Sequence, residues 1–127
     1  MTQGPILIVD DDLDIREILA ETLKDFGFEA LTATNGSDAL RLLRTTGASP
    51  SAILLDLMMP VMDGYGFLEE RRKDATLAAV PVAIVTAGPA VDRARVGEDI
   101  PIVRKPMDLP TLLGVLEDLG VRAGTPP

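Results

Sequence analysis

Ile6-Leu7-Ile8-Val9-Asp10-Asp11 is four apolar residues stopped by two acids. A solid apolar run this short, rich in β-branched residues, reads as a strand buried on both faces, the habit of parallel sheets. The acids that stop it then stand at the carboxyl end of the strand. The same pattern recurs along the chain. Ala52-Ile53-Leu54-Leu55 is stopped by Asp56, residues 81–85 by Thr86, and residues 101–104 by Lys105, while residues 28–33 supply one more strand candidate.

Between these runs the apolar period changes to that of a helix. Ile15, Ile18, Leu19, Thr22, Leu23 and Phe26 fall on one stripe, with Asp12 or Asp14 to cap it and Gly27 to end it. Gly36, Ala39, Leu40 and Leu43 make a shorter stripe that ends near Gly47, and residues 65–73 form a third helix behind a Pro/Gly loop. Residues 91–96 have room for one or two turns. Leu109, Leu112, Leu113, Leu116 and Leu119 line a last helix, with Asp108 as N-cap, Pro110 in the first turn and Gly120 past the end. Five alternating βα units predict an α/β fold, a five-stranded parallel sheet with helices on both faces.

Composition narrows the chemistry. Acids outnumber bases 20 to 12, for a net charge of −8. That charge argues against nucleic acid as a partner and against an anionic membrane surface. Cysteine and histidine are both absent, so zinc fingers, cysteine nucleophiles and histidine bases are excluded. No apolar run approaches the roughly 20 residues of a membrane helix. The first residues lack the basic start and apolar core of a signal peptide, so a cytoplasmic location is expected. Residues 122–127 carry no pattern and are expected to be a disordered tail behind a single domain of residues 1–121, with no room for a separate output domain.

Ligands of open α/β sheets bind at the carboxyl ends of the strands, where strand order reverses; for the flavodoxin-like order 2-1-3-4-5 that point lies between the first and third strands. Asp10, Asp11 and Asp56 come from those two strands. Three close carboxylates cannot all ionise comfortably without a cation. With hard oxygen donors and no histidine or cysteine, the expected ion is Mg²⁺ or Mn²⁺. A carboxylate beside such an ion can attack phosphorus, and a lysine and a hydroxyl on neighbouring strands can steady phosphoryl oxygens. Asp56, Lys105 and Thr86 have the right types for these roles.

At these residues the chain resembles the response-regulator receiver domains of two-component signalling. The resemblance is carried by Ile-Leu-Ile-Val-Asp-Asp at 6–11, Asp-Leu-Met-Met-Pro-Val-Met-Asp-Gly at 56–64, Val-Thr-Ala at 85–87 and Lys-Pro at 105–106, in order along nearly the whole chain. It implies that Asp56 is the phosphoacceptor. It further implies that Asp11, Asp56 and the Met58 backbone carbonyl bind the metal directly, with Asp10 acting through water or on its shell. Thr86 becomes the switch hydroxyl and Lys105 the phosphoryl partner, with a cis bond to Pro106. The donor would be a phosphohistidine on a sensor histidine kinase or histidine phosphotransfer protein. That donor would dock on the first helix around Leu13 and Arg16 and on the loop after the fifth strand, and the signal would leave through a downstream protein target.

Two departures touch the output side. The stretch from Thr86 to Lys105 is about three residues short of the family pattern and carries Gly88, Pro89, Gly97 and Pro101, so the helix between the fourth and fifth strands is expected to be short or atypical. Ile102 and Met107 stand where the family often has aromatic residues. Rival readings are a phosphorylation-independent module of the same fold and a haloacid-dehalogenase-type phosphatase, which Asp10-x-Asp12 mimics. An EF-hand is rejected, because Ile15 occupies the position that needs glycine.

Overall fold

The computed structural model describes residues 4–47, 49–88 and 90–121. The tail expected over 122–127 lies outside the described residues, as do residues 1–3, Ala48 and Pro89. Five strands, β1 (Ile6–Val9), β2 (Ala30–Ala33), β3 (Ala52–Leu55), β4 (Val82–Thr86) and β5 (Ile102–Arg104), form one parallel sheet in the order β2-β1-β3-β4-β5. The helices are α1 (Leu13–Asp25), α2 (Gly36–Thr46), α3 (Gly64–Arg72), α4 (Ala75–Ala78), α5 (Arg93–Val96) and α6 (Leu109–Asp118). The expected flavodoxin-like α/β architecture is therefore present.

The period of two along the strands splits the core. Leu7, Val9, Ile53, Leu55, Val82 and Ile84 face α2, α3 and α5, packing with Leu40, Phe67 and Val96. Ile6, Ile8, Leu54, Ala83 and Val85 face the other way, toward Leu23 of α1 and Leu112 and Leu116 of α6. Because both faces are covered, β1, β3 and β4 contain no exposed position, which is why they read as unbroken apolar runs. The helix signals also hold locally. Asp12 caps α1 by accepting from Asp14 N–H (2.9 Å) and Ile15 N–H (3.3 Å), and Asp108 caps α6 by accepting from Thr111 N–H (2.9 Å).

Two expectations need correction. β2 begins at Ala30 rather than at residue 28. Gly27 turns left-handed (φ 86°) and the Phe28 N–H bonds back to the Leu23 carbonyl (3.0 Å), so Phe28 is buried as part of the helix stop and cannot join the ladder. The β3–β4 crossover holds two helices, not one: α3 stops at Arg72, and Asp74 caps the one-turn α4 through the N–H groups of Thr76 and Leu77. On α1 only Leu23 of the apolar stripe is fully buried, and Ile18 is 62% exposed. The region 91–96, expected to be short, is the single turn of α5.

Gly114 sits exposed in mid-α6, and a Cβ there would meet nothing within 4 Å. Gly114→Ala is accordingly expected to raise stability by about 0.5–1 kcal/mol in urea unfolding, through the lower chain entropy of alanine alone.

Candidate functional site

β1 is paired on both sides, by β2 and by β3, so the chain reverses its direction of growth at β1 and leaves a crevice beyond the carboxyl ends of β1 and β3. The first residue after each strand is still tied to the ladder. The Asp10 N–H donates to the Ala33 carbonyl (3.1 Å), and the Asp56 N–H donates to the Val9 carbonyl (2.9 Å). The carboxylates of Asp10, Asp11 and Asp56 converge there, each offering an oxygen within 4.8 Å of the others. Asp10 and Asp56 are buried, 3% and 6% exposed, while Asp11 is open to solvent.

Lys105 is delivered from the end of β5, where its own N–H donates to the Thr86 carbonyl (3.0 Å). Its ammonium lies 2.6 Å from Asp10 Oδ2 and 3.5 Å from Asp56 Oδ2. It is thus an ion-pair partner of Asp10 first and of Asp56 second. The remaining Asp10 oxygen accepts from Asp12 N–H (2.9 Å), and Asp56 Oδ1 accepts a long bond from Met58 N–H (3.4 Å). Burial, and then the charge of Asp10, push the Asp56 carboxyl above its ordinary value, only partly offset by Lys105. Burial works against the charged form of Lys105, but its hydrogen bond to Asp10 and the charges of both acids carry it above its ordinary value. Thr86, 1% exposed, closes β4, and its hydroxyl accepts the Gly88 N–H (3.1 Å). The Lys105–Pro106 bond is cis, as expected.

Asp10, Asp11, Asp56 and Lys105 therefore meet in one pocket, with Thr86 at the end of the adjoining strand. Met58 reaches the pocket with its backbone N–H, and the residue as a whole is 68% exposed. The EF-hand pattern is absent in space, since Asp10 turns to Lys105 while Asp12 is spent on capping α1. The donor set suits a hard divalent cation: three carboxylates gathered at the open end of a sheet, in a chain without histidine or cysteine.

Two supporting residues escape a reading by type. Arg16 donates from its guanidinium to the Asp10 backbone carbonyl (2.7 Å), fixing the β1–α1 turn. Gly64 opens α3 against the loop that follows β3, where an added Cβ would lie 2.5 Å from the Asp56 carbonyl oxygen and 2.8 Å from Leu57 Cα. Its signal in the sequence is only the Asp-Gly pair at 63–64. Both atoms in the way are backbone, so Gly64→Ala is expected to cost about 1–3 kcal/mol in urea unfolding and to shift the NMR amide signals of residues 56–58. A variant as stable as the parent with unmoved signals would contradict this close approach.

Comparison with known proteins agrees with the geometry. Residues 6–117 match the response regulator receiver domain family. The chain is 45% identical over 89 residues to a probable transcriptional regulator, ycf27, of Porphyra purpurea, covering 69% of this chain and 35% of that protein. It is 40% identical over 82 residues to the sensor histidine kinase CheAY of Helicobacter pylori, covering 65% of this chain and 10% of that one. The chain thus spans about a third of the length of the ycf27 relatives. Among solved structures, the chemotaxis protein CheY4 of Vibrio cholerae superposes with a TM-score of 0.82 at 30% identity, covering 93% of this chain and 99% of that one. A response regulator receiver protein of Pseudomonas putida superposes with a TM-score of 0.80 at 27% identity, covering 92% and 98%.

Proposed function

Because the chain belongs to the response regulator receiver domain family, we propose that it accepts a phosphoryl group on Asp56 from a phosphohistidine of a sensor kinase or histidine phosphotransfer protein. It then signals through contact with a downstream protein, in the cytoplasm and without binding nucleic acid or membrane. The observation that carries this reading is one buried carboxylate, Asp56, set between two further acids and a buried-side lysine. In the transfer, an Asp56 carboxylate oxygen forms a bond to phosphorus as the phosphorus–nitrogen bond of the donor breaks, and the bonding pair leaves with the imidazole.

Asp10, Asp11, Asp56 and the Met58 carbonyl would hold Mg²⁺ or Mn²⁺. When bound, the ion neutralises charge that develops on phosphoryl oxygens. The other roles fall to the chain itself. Lys105 already stands beside the acceptor and offers its ammonium to a phosphoryl oxygen, and the Thr86 hydroxyl can donate to another while the Gly88 N–H remains on its acceptor side. The donor's landing place is a groove of about 430 Å³ between α1 and the loop after β5, lined by Ile15, Ile18, Leu19, Pro106 and Met107. Leu13 and Ile18 are exposed at 56% and 62% on α1, and Asp11, Asp14 and Glu17 are exposed on the same helix and its approach. Apolar anchors within an acidic surround suit a partner with an apolar helix face and basic flanks.

The test is labelling with acetyl phosphate. Mg²⁺ should permit labelling, chelation should stop it, and hydroxylamine should strip the label, the mark of an acyl phosphate. A label that resists hydroxylamine, or none at all under Mg²⁺ with either acetyl phosphate or a phosphorylated donor domain, would defeat the proposal.

A further inference from the structure

Asp10 has a partner for each of its polar atoms. Its N–H donates to the Ala33 carbonyl (3.1 Å), its Oδ1 accepts the Asp12 N–H (2.9 Å), and its Oδ2 lies 2.6 Å from the Lys105 ammonium. The fourth atom, the backbone carbonyl oxygen, accepts from the Arg16 guanidinium (2.7 Å). Arg16 is seated in the first turn of α1, where its own N–H donates to the Asp12 carbonyl (3.0 Å). Asp11 is placed differently. The ladder pairs stop at Val9, and Asp11 is exposed, yet it offers an oxygen within 4.8 Å of oxygens of Asp10 and Asp56. A peptide unit is planar, so the oxygen that Arg16 holds belongs to the same rigid plane as the Asp11 nitrogen and Cα. A grip on the Asp10 carbonyl is thus a grip on the direction in which Asp11 leaves the strand.

We propose that Arg16 is a positioning residue of the cation site, acting through the Asp11 carboxylate, and not a contact for the phosphoryl donor. This role rests on the reading of the three acids as a divalent-cation site. Sequence resemblance puts Arg16 beside Leu13 on the docking helix, yet the two side chains are used differently. Leu13 is 56% exposed, whereas Arg16 is half-buried and turns its guanidinium to the Asp10 carbonyl. A hydrogen bond from a charged donor at this distance is among the stronger kind, and it ties α1 to the end of β1. With the donor removed, the Asp10–Asp11 peptide is held only by its neighbours in the chain, and an exposed carboxylate beyond the ladder takes up directions away from Asp56. Metal sites weaken by about tenfold or more when a group that orients a ligand is lost. The sign separates this role from a simple effect of charge. A cation near the site repels Mg²⁺, so if Arg16 acted by charge alone its removal would tighten binding. Positioning predicts the reverse.

The experiment titrates the full chain with Mg²⁺, in the absence of any partner, and follows the NMR amide signals of residues 56–58. Arg16→Met keeps an apolar stem and removes the donor, while Arg16→Lys keeps the charge and one donor group. Mg²⁺ should bind Arg16→Met about tenfold more weakly than the parent, and Arg16→Lys should recover most of that loss, to within about threefold. Should the methionine variant fail to fold, Arg16→Gln replaces it with the same expected direction. Unchanged or tighter Mg²⁺ binding in the folded variant would overturn the positioning role. If transfer from a phosphorylated donor domain were slowed in that same variant, Arg16 would be a docking contact instead. A lysine variant as weak as the methionine one would remove the hydrogen bond as the cause. Each of these results leaves the phosphoacceptor reading intact, because the parent still binds Mg²⁺. A parent that binds no Mg²⁺ would overturn both.

Discussion

Asp56→Asn is expected to abolish hydroxylamine-sensitive labelling and, in the same protein, to raise stability by about 1–2 kcal/mol at neutral pH without divalent cations. Asparagine lacks the nucleophilic oxygen pair but keeps an acceptor for the Met58 N–H, so the loop geometry has no reason to change. What disappears is a buried charge facing Asp10. The sign with pH follows from the direction of the shift. Asp56 has a higher pKa folded than unfolded, so the folded state holds its proton more tightly. The cost of the ionised group is absent below the unfolded value of about 3.8, grows as pH rises above it, and is complete above the folded value. The gain from Asp56→Asn should therefore be near zero in acid and reach a plateau toward neutrality, and Mg²⁺ should shrink it by stabilising the parent. Urea unfolding across pH in chelator checks this. A variant less stable than the parent at neutral pH would contradict the electrostatic account, and undiminished labelling would remove Asp56 as acceptor.

Lys105→Ala acts in the opposite direction. It strips the counter-charge from two buried carboxylates that Lys105 now contacts at 2.6 and 3.5 Å, and a broken buried pair costs about 3 kcal/mol. The folded-state pKa of Lys105 is raised above its ordinary 10.5, so its contribution is present throughout the neutral range and is lost only as pH climbs through that raised value. On the acid side the loss should narrow as Asp56, whose carboxyl sits above its ordinary value, takes up its proton. Mg²⁺ should narrow it as well, by supplying the charge that the variant lacks. Denaturation at neutral and mildly acid pH, with and without Mg²⁺, reads all three. A deficit that neither acid nor Mg²⁺ reduces would mean that Lys105 matters through its packing, not its charge.

Much of the site is legible in the sequence because of where polar residues interrupt apolar ones. Asp10, Asp56 and Thr86 each close a run that is buried throughout, Lys105 closes the half-buried edge strand, and a parallel sheet brings those four ends together whatever the helices do. Asp108 and Gly120 are legible for a similar reason, since helix ends have fixed hydrogen-bond needs. The rest depends on distances between segments. Gly64 matters because α3 starts against the Asp56 carbonyl, a proximity that no local pattern encodes. α4 is one turn, too short to show a period. Ile18 fits the apolar stripe of α1, yet it is left exposed on the rim of the groove beside Lys105. Periodicity reports that a face is apolar, not whether the molecule or a partner covers it.

The ties at the ends of β1 and β3 divide the domain into a stiff half and a yielding one. Asp10 and Asp56 inherit the rigidity of the central ladder, so the carboxylates stay aligned unless the sheet itself opens. Among the described residues of the β4–β5 crossover, the backbone tie to the ladder comes at its far end, where the Ile84 N–H donates to the Pro101 carbonyl (2.9 Å). Its one-turn helix is fastened by guanidinium groups, with Arg72 on the carbonyls of Arg95 and Val96 and Arg93 on those of Gly97 and Ile100. A disturbance at the acids thus meets a wall on the β1–β3 side and an adjustable joint on the other, and mechanical asymmetry of this kind gives a chemical event of a few atoms a direction in which to be felt.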